Sequence, residues 1–228
     1  MALYSLAYFE LQPKYLCRAV GSAADVEWEE CEAEDFCGKE NEIEYWVDED
    51  SKYNLDNWVD QYDMTCAPGY KFGLFGSLYF TAVVIGSLFL TPLADKFGRR
   101  PITLIGLALV SVCETLILFS TSINFTYLLC FFLGLSMPMR VFVGYILAME
   151  FLPLQNTSLV TAVTLGSDGL GIFIASLWFL YISKDWKTFM LFSAVVCYAT
   201  FAFIYFFFAE SPKFLISRGR YDEARKVI

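Results

Sequence analysis

Five stretches of the chain, 72–94, 102–122, 126–149, 157–183 and 188–209, are apolar along their whole length and not along one face only. The first and last carry no charged residue, and the middle three carry one each: Glu114, Arg140 and Asp168. A helix rising about 1.5 Å per residue needs about 20 apolar residues to cross a hydrocarbon layer of about 30 Å, and every stretch is long enough. No amphipathic helices are present to cover such spans in water. The pattern therefore predicts an all-α polytopic membrane protein in a lipid bilayer. Residues 1–9 are also apolar but too short to cross. They carry neither a basic leader nor a small-residue cleavage site, so they read as the end of a preceding span.

Charge divides the chain in a way that its net value of −9 conceals. Residues 10–70 hold 17 acidic and four basic residues, net −13, which leaves +4 for the rest. Lys96, Arg99 and Arg100 follow the first full span, and Lys213, Arg218, Arg220, Arg225 and Lys226 follow the last. With alternating spans both groups share one side, which the positive-inside rule makes cytoplasmic. The chain then divides into 1–9 (end of a first span), 10–71 (an extracellular acidic loop), 72–209 (the spans) and 210–228 (the start of a cytoplasmic helical linker). On the oxidising outer side Cys17, Cys31, Cys37 and Cys66 are expected to form two disulfides, in any of three connectivities. Cys113, Cys130 and Cys197 fall inside spans and read as small apolar residues.

Composition narrows the chemistry. The chain has no histidine, which excludes Ser-His-Asp and Cys-His catalysis and His-ligated metals. With no phosphate-binding glycine loop or metal-ligand cluster either, neither an enzyme nor a cofactor is expected. The acidic balance excludes nucleic acid as a partner.

The loop after the first full span reads Asp95-Lys96-Phe97-Gly98-Arg99-Arg100. It sets a carboxylate and three bases around a glycine that permits a tight turn, which predicts a compact ion-paired hairpin. With Gly86 nine positions before Asp95, it resembles the signature between helices two and three of the major facilitator superfamily. Asn57-Trp58-Val59-Asp60-Gln61-Tyr62-Asp63-Met64-Thr65-Cys66 is similar to the end of the large outer loop of organic cation and anion transporters, the solute carrier 22 type. Lys184-Asp185-Trp186-Lys187 resembles that family's turn between helices five and six. Glu210-Ser211-Pro212-Lys213-Phe214-Leu215 resembles its closing motif of helix six, and Arg218-Gly219-Arg220 its continuation. Thr91 stands where the signature has a second glycine, and Lys213 and Phe214 replace the usual Arg and Trp.

The resemblance implies the N-terminal six-helix half of a twelve-helix transporter, with helix one largely missing. The partners would be a small organic solute and a missing C-terminal half, and the chain would be a fragment of a longer protein in the plasma membrane. It also implies a cytoplasmic gating network of Asp95, Lys96, Gly98, Arg99, Arg100, Glu150, Glu210 and Lys213. Solute transport by alternating access is the expected function, with an organic cation favoured. Proton-coupled sugar or phosphate transport and a non-transporting half-transporter subunit are the alternatives.

Charges inside spans are expensive and mark functional positions. Arg140 lies ten residues from Glu150, about 15 Å up, and Asp168 eleven from Thr157, about 16 Å up, so the two are expected to meet near mid-membrane. Glu114, about 21 Å above Arg100, is expected nearer the outer face. Arg140, Asp168, Glu114 and the mid-span Tyr145 are the candidates for contact with a substrate or coupling ion.

Overall fold

A computed structural model describes residues 2–21, 27–39, 41–48, 51, 54–152 and 157–227. The chain forms two units, Met1–Phe72 with Ile172–Phe189, and Gly73–Gly171 with Met190–Ile228.

The first unit starts with helix α1 (Ala2–Phe9), followed by strands β1 (Tyr15–Ala19), β2 (Glu29–Cys31) and β3 (Ile43–Val47). They form an antiparallel sheet with β1 in the middle, where Tyr15 pairs with Cys31 on one side and Val47 on the other. The acidic segment thus adds one small sheet to an otherwise helical chain. The β-prone run Ile43-Glu-Tyr-Trp-Val47 is too short to stand out among so many carboxylates. Helix α2 (Ala33–Phe36) buries Phe36 against Tyr45, stacked at 4.1 Å, and against the edge of Tyr15 at 5.1 Å.

Cys17–Cys31 joins neighbouring strands, and Cys37–Cys66 joins the end of α2 to the chain before the first full span. This selects one of the three connectivities. The sequence separations are 14 and 29 residues. By restricting the unfolded chain, each bridge contributes roughly 3 kcal/mol, which a core this small requires.

Aromatic rings hold the rest of this unit. Phe9 lies 5.0 Å from Trp58, the first residue of α3 (Trp58–Gln61), and 5.8 Å from Trp186. Trp58 and Trp186 meet edge-on at 6.0 Å, and the Trp186 amide donates to the Asp56 carbonyl at 3.1 Å. Asn57 is buried. Its side-chain oxygen caps α3 by accepting from the Val59 amide at 2.9 Å, and its NH2 donates to the carbonyls of Tyr8 (3.2 Å) and Leu11 (2.6 Å). The Asn57-Trp58 and Asp185-Trp186 motifs are thus two sides of one junction.

Glu10 follows α1, and burial raises its carboxyl to about 7. A carboxyl whose folded pKa exceeds its unfolded value favours the folded state at low pH. The contribution is complete below about pH 4.3 and is lost as the pH rises through the raised value. The Tm of the detergent-solubilised chain is therefore expected to drop between about pH 5 and 7.5 by more in wild type than in Glu10→Gln. Parallel Tm profiles in the two would contradict this.

Among the described residues five helices are long and apolar enough to cross a membrane: Gly69–Phe89, Arg99–Leu118, Ile123–Glu150, Ser158–Ile182 and Trp186–Phe207. The first and third are α4 (Gly69–Phe89) and the pair α7 (Ile123–Met137) and α8 (Val143–Glu150). Between α4 and α6 (Arg99–Leu118) lies the short helix α5 (Leu93–Phe97). Helices α9 (Thr157–Leu177) and α10 (Trp186–Phe207) follow, then α11 (Pro212–Ser217) and α12 (Tyr221–Val227). The charge-free stretches begin late at α4 and α6, because Lys71, Arg99 and Arg100 sit within the first turns of these helices.

The span Ile123–Glu150 departs from a plain helix. At Pro138–Phe142 it widens into a π-turn in which the Val143 amide donates to the Pro138 carbonyl. Pro138 has no N–H for the regular ladder, and a wider turn accommodates that loss. Gly134, one turn earlier, lies so close to α4 that an added Cβ would overlap the Tyr79 carbonyl and reach the Ala82 methyl at 2.8 Å.

Candidate functional site

The clamp begins at Gly98. Its φ of 108° turns the chain between α5 and α6, and an added Cβ would collide with the Glu210 carboxylate. One oxygen of Glu210 accepts three amides: Arg99 at 3.0 Å, Arg100 at 3.2 Å and Ser211 at 3.0 Å. The first two are open donors at the N-terminus of α6, where a carboxylate also meets the positive end of the helix dipole.

The arginine side chains carry the contacts outward. Arg99 pairs with Asp95 and with Glu150, both at 3.2 Å. The side chains of Arg99 and Glu150 are 17% and 11% exposed, whereas that of Asp95 is 76% exposed, so the Glu150 pair is the less screened and stronger one. Arg100 donates to the Tyr205 carbonyl at 2.6 Å. Arg218 donates to the carbonyls of Asp95 (3.2 Å) and Lys96 (2.7 Å), which are open acceptors at the end of α5. Arg99 and Arg218 each lie 5.5 Å from the Phe214 ring.

Most of the expected network is therefore in contact: Asp95, Gly98, Arg99, Arg100, Glu150 and Glu210. Lys96 takes part through its carbonyl alone, while its side chain is exposed. Lys213 is a correction: it stands on the exposed side of α11, with buried Phe214 beside it. Arg218 was missed as a member of the network. The glycine after it, at φ 74°, was the available signal that α11 ends there and frees the preceding side chain.

Glu114 is 1% exposed and accepts from the Ser193 hydroxyl at 3.1 Å. Cys197 and Arg140 are its other polar neighbours. Arg140 stands in the π-turn and lines a cavity of about 340 Å3 with Thr103, Leu107, Gly144 and Thr200. The expected partner of Arg140, Asp168, belongs to α9, but its side chain lies outside the described residues. The Tyr145 hydroxyl hydrogen-bonds Thr161 at 2.8 Å.

Residues 64–226 match the family model of the Major Facilitator Superfamily. The chain belongs to that superfamily. Among its relatives, organic cation/carnitine transporter 2 of Rattus norvegicus is 28% identical over 200 residues, which cover 83% of this chain and 34% of the relative. Solute carrier family 22 member 15-like of Xenopus laevis is 30% identical over 175 residues, 77% of this chain and 36% of the relative. Organic cation transporter 1 of Caenorhabditis elegans is 28% identical over 184 residues, 79% of this chain and 30% of the relative. The chain thus spans about a third of the length of the curated relatives it matches. Membership in the superfamily and five apolar helices make it a multi-pass membrane protein of solute carrier 22 type. The superfamily match covers the whole clamp, from Asp95 through Arg218.

Proposed function

We propose that this chain is the N-terminal part of a transporter that carries a small organic solute, preferentially an organic cation, across the plasma membrane by alternating access. The clamp at Gly98 supports this reading most directly. It joins the ends of several helices through contacts that exchange at low cost: one arginine shared between two carboxylates, and one carboxylate shared among three amides. A face that closes in one state and opens in the other needs contacts of this kind. In this reading the clamp lies on the cytoplasmic side, the disulfide-bonded segment lies outside, and a second six-helix half completes the solute path.

The cation preference draws on two relatives named as organic cation transporters. Two carboxylates, Glu114 and Asp168, against one arginine, Arg140, in the spans agree with it. The test is uptake of labelled cyclohexylammonium and labelled benzoate by cells expressing the whole protein. The cation is expected to accumulate and the anion not, and the reverse would overturn the preference. For gating, Arg99→Gln is expected to lower uptake per surface molecule by about tenfold, the effect of losing about 1.4 kcal/mol. Unchanged uptake per surface molecule would remove the clamp from the mechanism.

A further inference from the structure

The disulfide-bonded unit contains a cavity of about 500 Å3 that the transport reading does not use. One part of its wall is apolar, from Val47 and Leu55. Two carboxylates, Asp56 and Asp60, stand in the same wall and are exposed. Among the described residues the lining holds one lysine, Lys184, whose ammonium is held by the Ser51 carbonyl at 3.1 Å. The hydroxyl of Tyr15, on a residue only 2% exposed, is buried and makes no hydrogen bond of good geometry among the described residues, with Thr65 its polar neighbour. Both residues line the cavity. A buried hydroxyl left without a bond is costly unless something else fills its place.

We propose that this cavity is a binding site for a small organic ammonium ion that retains at least one N–H. The charge sits between Asp56 and Asp60, the hydrocarbon part lies against Val47 and Leu55, and the inner N–H groups meet the Tyr15 and Thr65 hydroxyls. An uncharged or anionic molecule of the same size lacks the decisive interaction. Crowding of negative charge adds to this: burial first, and then Asp185 and Asp60, raise the Asp56 carboxyl above its usual range, and Lys187 offsets only part of that rise. A bound cation relieves that repulsion. The surrounding segment, 10–70, carries a net −13, and a field of that sign raises the local concentration of cations. The site collects the solute on the outer side before transport, an inference that rests on the organic-cation reading above.

Calorimetric titration of the detergent-solubilised chain with cyclohexylammonium chloride tests the site, with cyclohexanol and sodium benzoate as uncharged and anionic controls. The amine is expected to bind and the controls not. Replacing both carboxylates (Asp56→Asn with Asp60→Asn) is expected to weaken binding about tenfold, consistent with two partly screened carboxylates. Lysing neither disulfide, these surface changes leave the fold in place, which non-reducing mass analysis of Cys17–Cys31 and Cys37–Cys66 verifies. Asp60→Glu, which keeps the charge, is expected to retain binding within about twofold. Equal affinity in wild type and the double variant overturns the site even where cells take up the amine. Binding in a protein that takes up only benzoate keeps the site and overturns the transport reading.

Discussion

Replacing Glu210 by alanine is expected to cost the helical unit about 3 kcal/mol and to abolish uptake by the whole protein. One carboxylate oxygen accepts the amides of Arg99, Arg100 and Ser211. Alanine would leave all three without this partner, two of them at a helix start where water is the only substitute. Hydrogen bonds to a charged acceptor are each worth about 1.5–3 kcal/mol, and partial exposure of Glu210 puts the sum well below three times that figure. Glu210→Gln keeps an acceptor oxygen but loses the charge that faces the helix dipole, so its cost is expected to be about 1 kcal/mol. Thermal unfolding in detergent measures the order wild type, Gln, Ala. Equal Tm values for Ala and wild type would show that the amides find other partners and that Glu210 is dispensable.

Gly134→Ala is the second large effect, expected to cost about 2–3 kcal/mol by overpacking. The added methyl would overlap the Tyr79 carbonyl of α4 and stand 2.8 Å from the Ala82 methyl. Neither is the movable end of a long side chain, so the two helices must separate. Gly73→Ala, in α4 itself, is the control, because an added methyl there meets nothing within 4 Å. Alanine exceeds glycine in helix propensity by about 1 kcal/mol, so the control is expected to be neutral or stabilising. Tm measurements on both variants decide the matter. If Gly134→Ala matched Gly73→Ala, the close approach of α4 and α7 would be wrong.

The spans were legible because hydrocarbon demands uniform apolarity, and uniform apolarity over 20 or more residues is hard to mistake. The clamp was legible for a related reason: charges cannot hide along a span, so they collect at its ends. The signals that failed were local. Lys213 and Arg218 are both bases after the last span, and only the turn at Gly219 separates an outward lysine from an arginine that reaches back to α5. Depth counted in residues sets Arg140 level with Asp168, whose side chain lies outside the described residues. In the acidic segment, strands of three to five residues have too few positions for alternation to register.

The wide turn at Pro138 reaches beyond its own five residues. A π-turn adds one residue to a helical circuit, and one residue is about 100° of rotation. A helical wheel drawn without a break from Ile123 to Glu150 therefore has two incompatible halves. Tyr145 and Glu150, placed by counting from Gly134, fall about a quarter-circle or more from their true azimuth. Substitutions chosen from such a wheel to probe a solute path would test the wrong face of α8. Two wheels, one ending at Met137 and one beginning at Val143, restore the correspondence.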